Sequence, residues 1–251
     1  MRDVVLSARN IVFSFGDSPE QRIIDGVSFD ARKNEFVSLI GPSGCGKSTL
    51  LRILAGLIDP VSGEVLYNGK RLDKPTSELS FVFQDFALLP WLTNIENVEM
   101  GLDPKIGDEE KRSRALATLK EMGLENVADY YPNALSGGMK QRVGIARAII
   151  SNPHVLLMDE PFSSLDELTA NALRGDVVYM LRNKDISVNS VIMVTHNVEE
   201  AVEMSDRIIV LTNKPTKVKQ EIKLSMKYPR NRHDKEFINM VDRIYEALTR
   251  K

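Results

Sequence analysis

One cysteine, Cys45, is all the thiol the 251-residue chain carries. An internal disulfide is therefore excluded, and a reducing compartment fits. Nowhere do about 18 apolar residues run uninterrupted, the length a membrane-spanning helix needs. The opening residues, Met1-Arg2-Asp3-Val4-Val5-Leu6-Ser7-Ala8-Arg9, break off too soon for the apolar region of a signal peptide. Neither sign of charge dominates: 33 basic residues stand against 35 acidic ones. Such a balance leaves no broad basic surface for nucleic acid. There is no internal repeat and no low-complexity tract. What is present is ordinary globular material, 43% apolar and 27% charged, enough for one large α/β domain or a main domain with a small subdomain.

Short apolar runs bounded by turn signals recur along the chain. Phe36–Ile40, Phe81–Phe83, Val155–Met158, Val191–Val194 and Ile208–Leu211 have the unbroken apolar character of strands buried on both faces. Helical patterns lie between most of them, so a mostly parallel sheet with crossover helices is expected. Earlier segments, Asn10–Phe15, Val27–Asp30 and Val65–Tyr67 followed by the turn pair Asn68-Gly69, predict a small antiparallel sheet. From Asp108 to about Gly123 the pattern is helical, with Ala115, Leu116, Leu119 and Met122 on one face. This stretch belongs to a helical insertion spanning about 88–152. Beyond Leu211 the chain is lysine-rich up to Lys235 and reads as a solvated connector. A C-terminal amphipathic helix over 236–251 follows, striped by Phe237, Ile238, Val241, Ile244, Tyr245 and Leu248 and expected to pack on its own domain, with a regulatory or membrane-facing tail as the alternative reading.

Gly41-Pro42-Ser43-Gly44-Cys45-Gly46-Lys47-Ser48 matches G-x-x-x-x-G-K-[ST] at every fixed position. A buried strand leads in and a helix starts at once after it, through Thr49 and Leu50. Glycines let the backbone curl so that N–H groups of this loop converge on a phosphate at a helix N-terminus. Gly41, Ser43, Gly44, Cys45, Gly46, Lys47, Ser48 and Thr49 are the expected nucleotide contacts. Lys47 reaches the β- and γ-phosphates of ATP, and the Ser48 hydroxyl ligates Mg²⁺. The Cys45 thiol, beside a helix N-terminus in a loop that must admit phosphate, is expected to be reactive and protected by ATP, the alternative being that it packs inward as a small apolar residue.

Val155-Leu156-Leu157-Met158-Asp159-Glu160 is an apolar strand ending in two carboxylates. Ligands of open α/β sheets bind at the carboxyl ends of strands. Asp159 there suits Mg²⁺, and Glu160 suits the polarisation of an attacking water. Were these acids merely helix caps they would compete with Ser163 and Ser164, which are better cap residues.

Leu135-Ser136-Gly137-Gly138-Met139-Lys140-Gln141-Arg142 adds a second helix N-terminus suited to phosphate, with Ser136 as its cap and two glycines exposing its first N–H groups. Taken with the phosphate loop and the aspartate–glutamate strand, this segment resembles the hallmark of the ATP-binding cassette (ABC) transporter ATPases. The resemblance covers about Leu6 to Leu211. It implies a phosphate-loop NTPase fold with an N-terminal antiparallel subdomain and an inserted helical subdomain, one cassette over 1–235. It also implies a head-to-tail homodimer in which each ATP lies between one subunit's phosphate loop and the other's Ser136-Gly137-Gly138. Further residues take roles by resemblance alone. Gln84 matches the glutamine that senses Mg²⁺ and faces the membrane partner. Asp166, in Ser164-Leu165-Asp166, matches the loop crossing the dimer interface. His196 matches the histidine contacting the γ-phosphate, so that Lys47, Gln84, Glu160 and His196 form the catalytic set. Phe15 falls where an aromatic stacks on adenine. Phe stands here for the commoner Tyr, Ser164 for a frequent Ala and Met139 for a common Gln, and no catalytic group is lost.

The stretch Gln84–Val98, with its Leu89-Pro90-Trp91-Leu92-Thr93, resembles importers of the nitrate, sulfonate and taurine group, as do Thr195–Ala201 and Tyr228-Pro229-Arg230-Asn231-Arg232. That branch implies a cytoplasmic ATPase at the inner face of the membrane, working on a separate permease served by an extracytoplasmic solute-binding protein. Phe86 and Trp91 are the candidate permease contacts, Trp91 being open to two readings, buried core or exposed anchor. The rival is a soluble ABC ATPase with a non-transport partner. Repair and chromosome members carry long coiled coils between loop and signature, whereas Gly46 and Ser136 lie ninety positions apart (136 − 46) with no heptad array.

Overall fold

The computed structural model describes residues 4–16, 21–182 and 188–249. The chain forms two compact units, Met1–Thr76 with Asn189–Lys251, and Ser77–Val188.

The first unit holds two sheets. Strands β1 (Val4–Ser14), β2 (Arg22–Arg32), β4 (Ser62–Tyr67) and β5 (Lys70–Arg71) make an antiparallel sheet in the order β2-β1-β4-β5. Asn68 and Gly69 join its last hairpin at φ 48° and 74°, as a two-residue turn matching the strands' twist requires. The second sheet is built on β3 (Glu35–Ile40), which pairs in parallel with β8 (Ser190–Thr195) on one side and β9 (Arg207–Leu211) on the other. All three are buried along their whole length. This is why their sequences are unbroken apolar runs. Helix α1 (Lys47–Leu54) leaves the end of β3 and packs on β8. Buried charge is paired: the Arg207 guanidinium donates Nε to Glu35 Oε1 and a terminal nitrogen to Glu35 Oε2, both at 3.0 Å. Burial works against the charged Arg207, and the bonds to Glu35 and Glu221 outweigh it, raising its pKa.

The stretch after Leu211 departs from the solvated connector expected of it. Val218–Lys223 forms β10, antiparallel on β9. Of its residues only Ile222 is buried, so the hydrophobic pattern is too thin to announce a strand; an edge strand rich in lysine has this composition. Further on, Tyr228–Arg232 grips α6 (Val198–Met204). The Tyr228 hydroxyl donates to Met204 O at 2.7 Å, Arg230 donates to Ser205 O at 2.6 Å, and Arg232 pairs with Glu203 at 2.6 Å. Helix α7 (Lys235–Thr249) then packs on α6 and β9, burying Phe237, Ile244 and Ala247. Two members of its predicted stripe, Ile238 and Tyr245, are about half exposed.

The second unit carries the parallel pair β6 (Leu79–Val82) and β7 (Val155–Asp159), with Val82 opposite Met158. β7 is buried throughout, whereas β6, expected to be buried, is half-exposed up to Val82. Around them lie α2 (Asn94–Glu99), α3 (Asp108–Glu121), α4 (Gly137–Ile149) and α5 (Glu167–Arg182). Within α3, Ala115 and Leu119 are buried, as is Met122 beyond its end, while Leu116 lies outside the core. Thr93 and Glu96 close a reciprocal capping box at the start of α2. Buried Asn97 ties down the preceding turn, its Oδ1 accepting from Leu89 N at 2.8 Å and its Nδ2 donating to Thr93 O at 2.9 Å.

Candidate active site

In the first unit, Ile40 pairs with Thr195, so Gly41 and His196 leave the carboxyl edges of neighbouring strands. The loop between β3 and α1 runs through Gly44 at φ 71° and Gly46 at φ 109°. Gly46 is required twice over. Its conformation is left-handed, and a Cβ there would lie 2.6 Å from Ile23 Cγ2. The Lys47 ammonium is buried beneath the loop, donating to Gly41 O at 2.9 Å and Pro42 O at 3.0 Å. Ser43 and Gly44 face solvent, Ser48 is half-buried and Thr49 is buried.

The Cys45 side chain corrects one expectation. It is 2% exposed, and a Cβ added to Gly41 would lie 3.2 Å from its Sγ. The thiol therefore packs beneath the loop instead of facing the phosphate path. Only the Cys45 backbone stays in play: its N–H donates to Pro42 O at 3.3 Å, and its carbonyl accepts from the buried Thr216 hydroxyl. Thr216, lost in the lysine-rich stretch, was not read from the sequence; nothing local marks a single threonine as the anchor of a loop 171 positions earlier.

His196 is exposed, in a turn held on both sides. The Thr195 hydroxyl donates to Glu200, and Asn197 caps α6 by accepting from Glu200 N at 3.1 Å. Phe15 is 73% exposed and stands edge-on to Phe13 at 5.1 Å. A large aromatic left this open is not a core residue.

In the second unit, the pairing of Val82 with Met158 sends Gln84 and the Asp159-Glu160 pair off the same edge. Asp159 is buried at the end of β7. Glu160 adopts φ 44°, left-handed without being glycine. Strain of this kind survives only where neighbours enforce it. Ser163 does so, its N–H and hydroxyl both donating to Glu160 O, at 3.2 and 3.0 Å. Gln84 Nε2 reaches the same Ser163 hydroxyl at 3.4 Å.

Ser136 caps α4, accepting from Met139 N. The glycines after it also serve packing. A Cβ on Gly138 would meet Thr169 Cγ2 at 2.3 Å, and one on Gly137 would approach Leu165 Cδ2 to 3.3 Å. Helix α5 is capped by Asp166, which accepts from Thr169 N at 3.0 Å, rather than by Ser163 or Ser164. Those bonds from Thr169 hold the Asp166 carboxyl below the usual carboxylate range. Phe86 is half-buried, and Trp91 is 69% exposed, which removes the core reading of the latter.

A phosphate loop ahead of a helix, strands ending in a paired aspartate and glutamate, and an antiparallel sheet beside a parallel one define an α/β phosphate-loop nucleotide hydrolase. Comparison with known proteins narrows the class. Residues 24–163 match the family model described as ABC transporter. An uncharacterized ABC transporter ATP-binding protein of Methanocaldococcus jannaschii is 40% identical, over 98% of this chain and 91% of that protein. The aliphatic sulfonates import ATP-binding protein SsuB of Bacillus cereus is 38% identical, over 86% of this chain and 84% of that protein. Among solved structures, a dimeric ATP-binding cassette in a post-hydrolysis state, bound to ADP and Pi, superposes with a TM-score of 0.76 at 34% identity, over 88% of this chain and 100% of that one. The chain belongs to the ABC transporter family and is one of its ATP-hydrolysing cassettes.

Proposed function

We propose that this cassette powers the import of a small anionic or organosulfur solute. It works as a head-to-tail homodimer on separate permease subunits at the inner face of the cell membrane, with an extracytoplasmic solute-binding protein delivering the cargo. ATP closes the dimer, and hydrolysis to ADP and phosphate reopens it. Likeness to a sulfonate importer's ATP-binding protein supports the solute class. The same likeness to an import system's ATP-binding protein supports a permease partner, and no helix among the described residues is long and apolar enough to cross a membrane.

Each residue contributes in a way its setting allows. Backbone N–H groups of Gly41–Thr49 cradle the phosphates, and Lys47 leaves its two carbonyls to neutralise charge between β- and γ-phosphates. Phe15 stacks on adenine. Glu160 orients the attacking water and takes up its proton as the bond to the γ-phosphorus forms and the bridging bond to ADP breaks. His196 contacts the γ-phosphate and keeps the water in line. Ser136, Gly137 and Gly138 present the start of α4 to the partner subunit's nucleotide, and Asp166 crosses the interface beside them.

Ser48, Gln84 and Asp159 are hard oxygen donors that fit Mg²⁺. Mg²⁺ commonly takes only one or two protein oxygens and completes its shell with substrate phosphates and water. Bound there, Mg²⁺ supplies charge neutralisation at the transferring phosphoryl group.

The observation that carries this reading is the Glu160 turn, a strained catalytic carboxylate held at the end of a buried strand. Glu160→Gln removes the charge and keeps the turn. It is expected to bind ATP, to hydrolyse it roughly tenfold more slowly or worse, and to accumulate as a dimer on size-exclusion chromatography with ATP. A variant that stays monomeric at saturating ATP, or turns over normally, contradicts the assignment.

A further inference from the structure

Two consecutive residues after Gln84 are held in a conformation that side chains avoid. Phe86 lies at φ 58° and Ala87 at φ 47°. The Ala87 N–H folds back onto Asp85 O at 2.5 Å, closing a γ-turn of the strained hand on Phe86. Neither residue is glycine, so the turn needs an outside hold. Arg147, late in α4, provides one. Its two terminal nitrogens donate to the carbonyls that the turn exposes, one to Ala87 O at 2.7 Å and the other to Phe86 O at 2.9 Å. Among the described residues no carboxylate pairs with this guanidinium. Burial pushes its pKa down with nothing opposing, so an ionised side chain is kept there for two backbone oxygens.

The surrounding packing is fitted to this contact. Gly144, one turn earlier in α4, faces the same loop, and a Cβ on it would lie 3.4 Å from Phe86 O. From the other side Gly101 closes on the Arg147 backbone so tightly that a Cβ would fall 2.1 Å from Arg147 O. Both ends of the lever are thus seated. Beyond the turn, Gln84 touches the Ser163 hydroxyl, which in turn holds the Glu160 carbonyl.

We propose that Arg147 is a positioning residue that fastens the glutamine loop to the signature helix. Through it, any rotation of α4 is passed to Gln84 and the Glu160 turn. This rests on the reading of Gln84 and Glu160 given above. The planar guanidinium reaches each carbonyl with its own nitrogen in a fixed fork, whereas a lysine in its place brings one shorter, freely rotating ammonium to the pair.

Arg147→Met, Arg147→Lys and Gln84→Ala, compared with the parent chain, test the proposal. Hydrogen exchange across residues 84–88 is expected to quicken about tenfold in Arg147→Met with the rest of α4 unchanged. The same variant should lose about tenfold in kcat and need severalfold more Mg²⁺ for half-maximal rate, while KM for ATP at saturating Mg²⁺ moves less than about twofold. Arg147→Lys should fall between the two, and it carries the comparison alone if the methionine variant does not fold. Unchanged exchange across 84–88 in a folded variant overturns the proposal whatever the kinetics. Faster exchange with unchanged kcat and Mg²⁺ dependence overturns the positioning role. Should Gln84→Ala leave the Mg²⁺ dependence unmoved, the metal-sensing role of Gln84 fails instead, and exchange and kcat still judge Arg147.

Discussion

Glu160 stands at the end of a buried strand with its backbone turned left-handed, a conformation that costs a non-glycine residue of order 1–3 kcal/mol. Two bonds from Ser163 to its carbonyl keep it there. The carboxylate is thereby presented by a rigid turn instead of a free loop, which would spare reordering in the water-polarising role proposed for it. Cys45 shows the opposite case, a residue inside the phosphate loop whose side chain takes no part in it. With the thiol 2% exposed, N-ethylmaleimide is expected to label the native chain at least about tenfold more slowly than the urea-unfolded chain, because a buried thiol reacts only through opening. Mass spectrometry of the adduct against time measures it. Rapid labelling of the folded protein that Mg-ATP suppresses would restore the accessible thiol that the loop's composition suggests.

At the scale of elements, α7 is a working part of the first unit's core. It closes over α6 and β9, burying Phe237 to 2% beside Ile208, Val210 and Ile222. Helix α6 begins just after His196, so what presses on α6 also bears on the turn that carries the histidine. Phe237→Ala should cost about 3–5 kcal/mol. At this chain length that lowers the melting temperature by roughly 6–20 °C, which differential scanning calorimetry reads directly. A drop of less than about 2 °C would mean that α7 is dispensable to the core. Tyr228, Arg230 and Arg232 add a polar clasp on the same helix, the first two donating to carbonyls at its C-terminal end and the third pairing with the Glu203 carboxylate.

At the scale of the whole molecule, transport requires that the cassette meet a membrane subunit. Trp91 is the large aromatic that the turn before α2 leaves open, 69% exposed on a loop held down by Asn97 and the Thr93–Glu96 box. A rigid, open aromatic suits an interface anchor. Trp91→Ala is expected to keep the isolated chain's ATPase rate and its melting temperature, and to weaken capture by the permease subunits about tenfold or more in a pull-down titration. Equal capture by both forms would place the permease contact elsewhere, and a large loss of melting temperature would return Trp91 to a packing role.

Several of these features are written in the chain itself. Gly41–Ser48, Ser136-Gly137-Gly138 and Asp159-Glu160 are legible because their chemistry is local: backbone turns that only glycine tolerates, a hydroxyl cap three residues from its N–H, carboxylates at the end of an apolar run. The strands β3, β7, β8 and β9 are legible for a related reason, since burial on both faces leaves no polar alternation to confuse them. Residues that act across long separations left no such mark. Thr216 holds the Cys45 carbonyl from 171 positions away, and Arg147 reaches Phe86 from 61. Likewise β10, with one buried residue, exists as a strand only because β9 offers it an edge. The direction of the Cys45 thiol and the exposure of Trp91 were undecided for the same physical reason. A side chain's burial depends on which distant element packs against it, and only the folded chain supplies that neighbour.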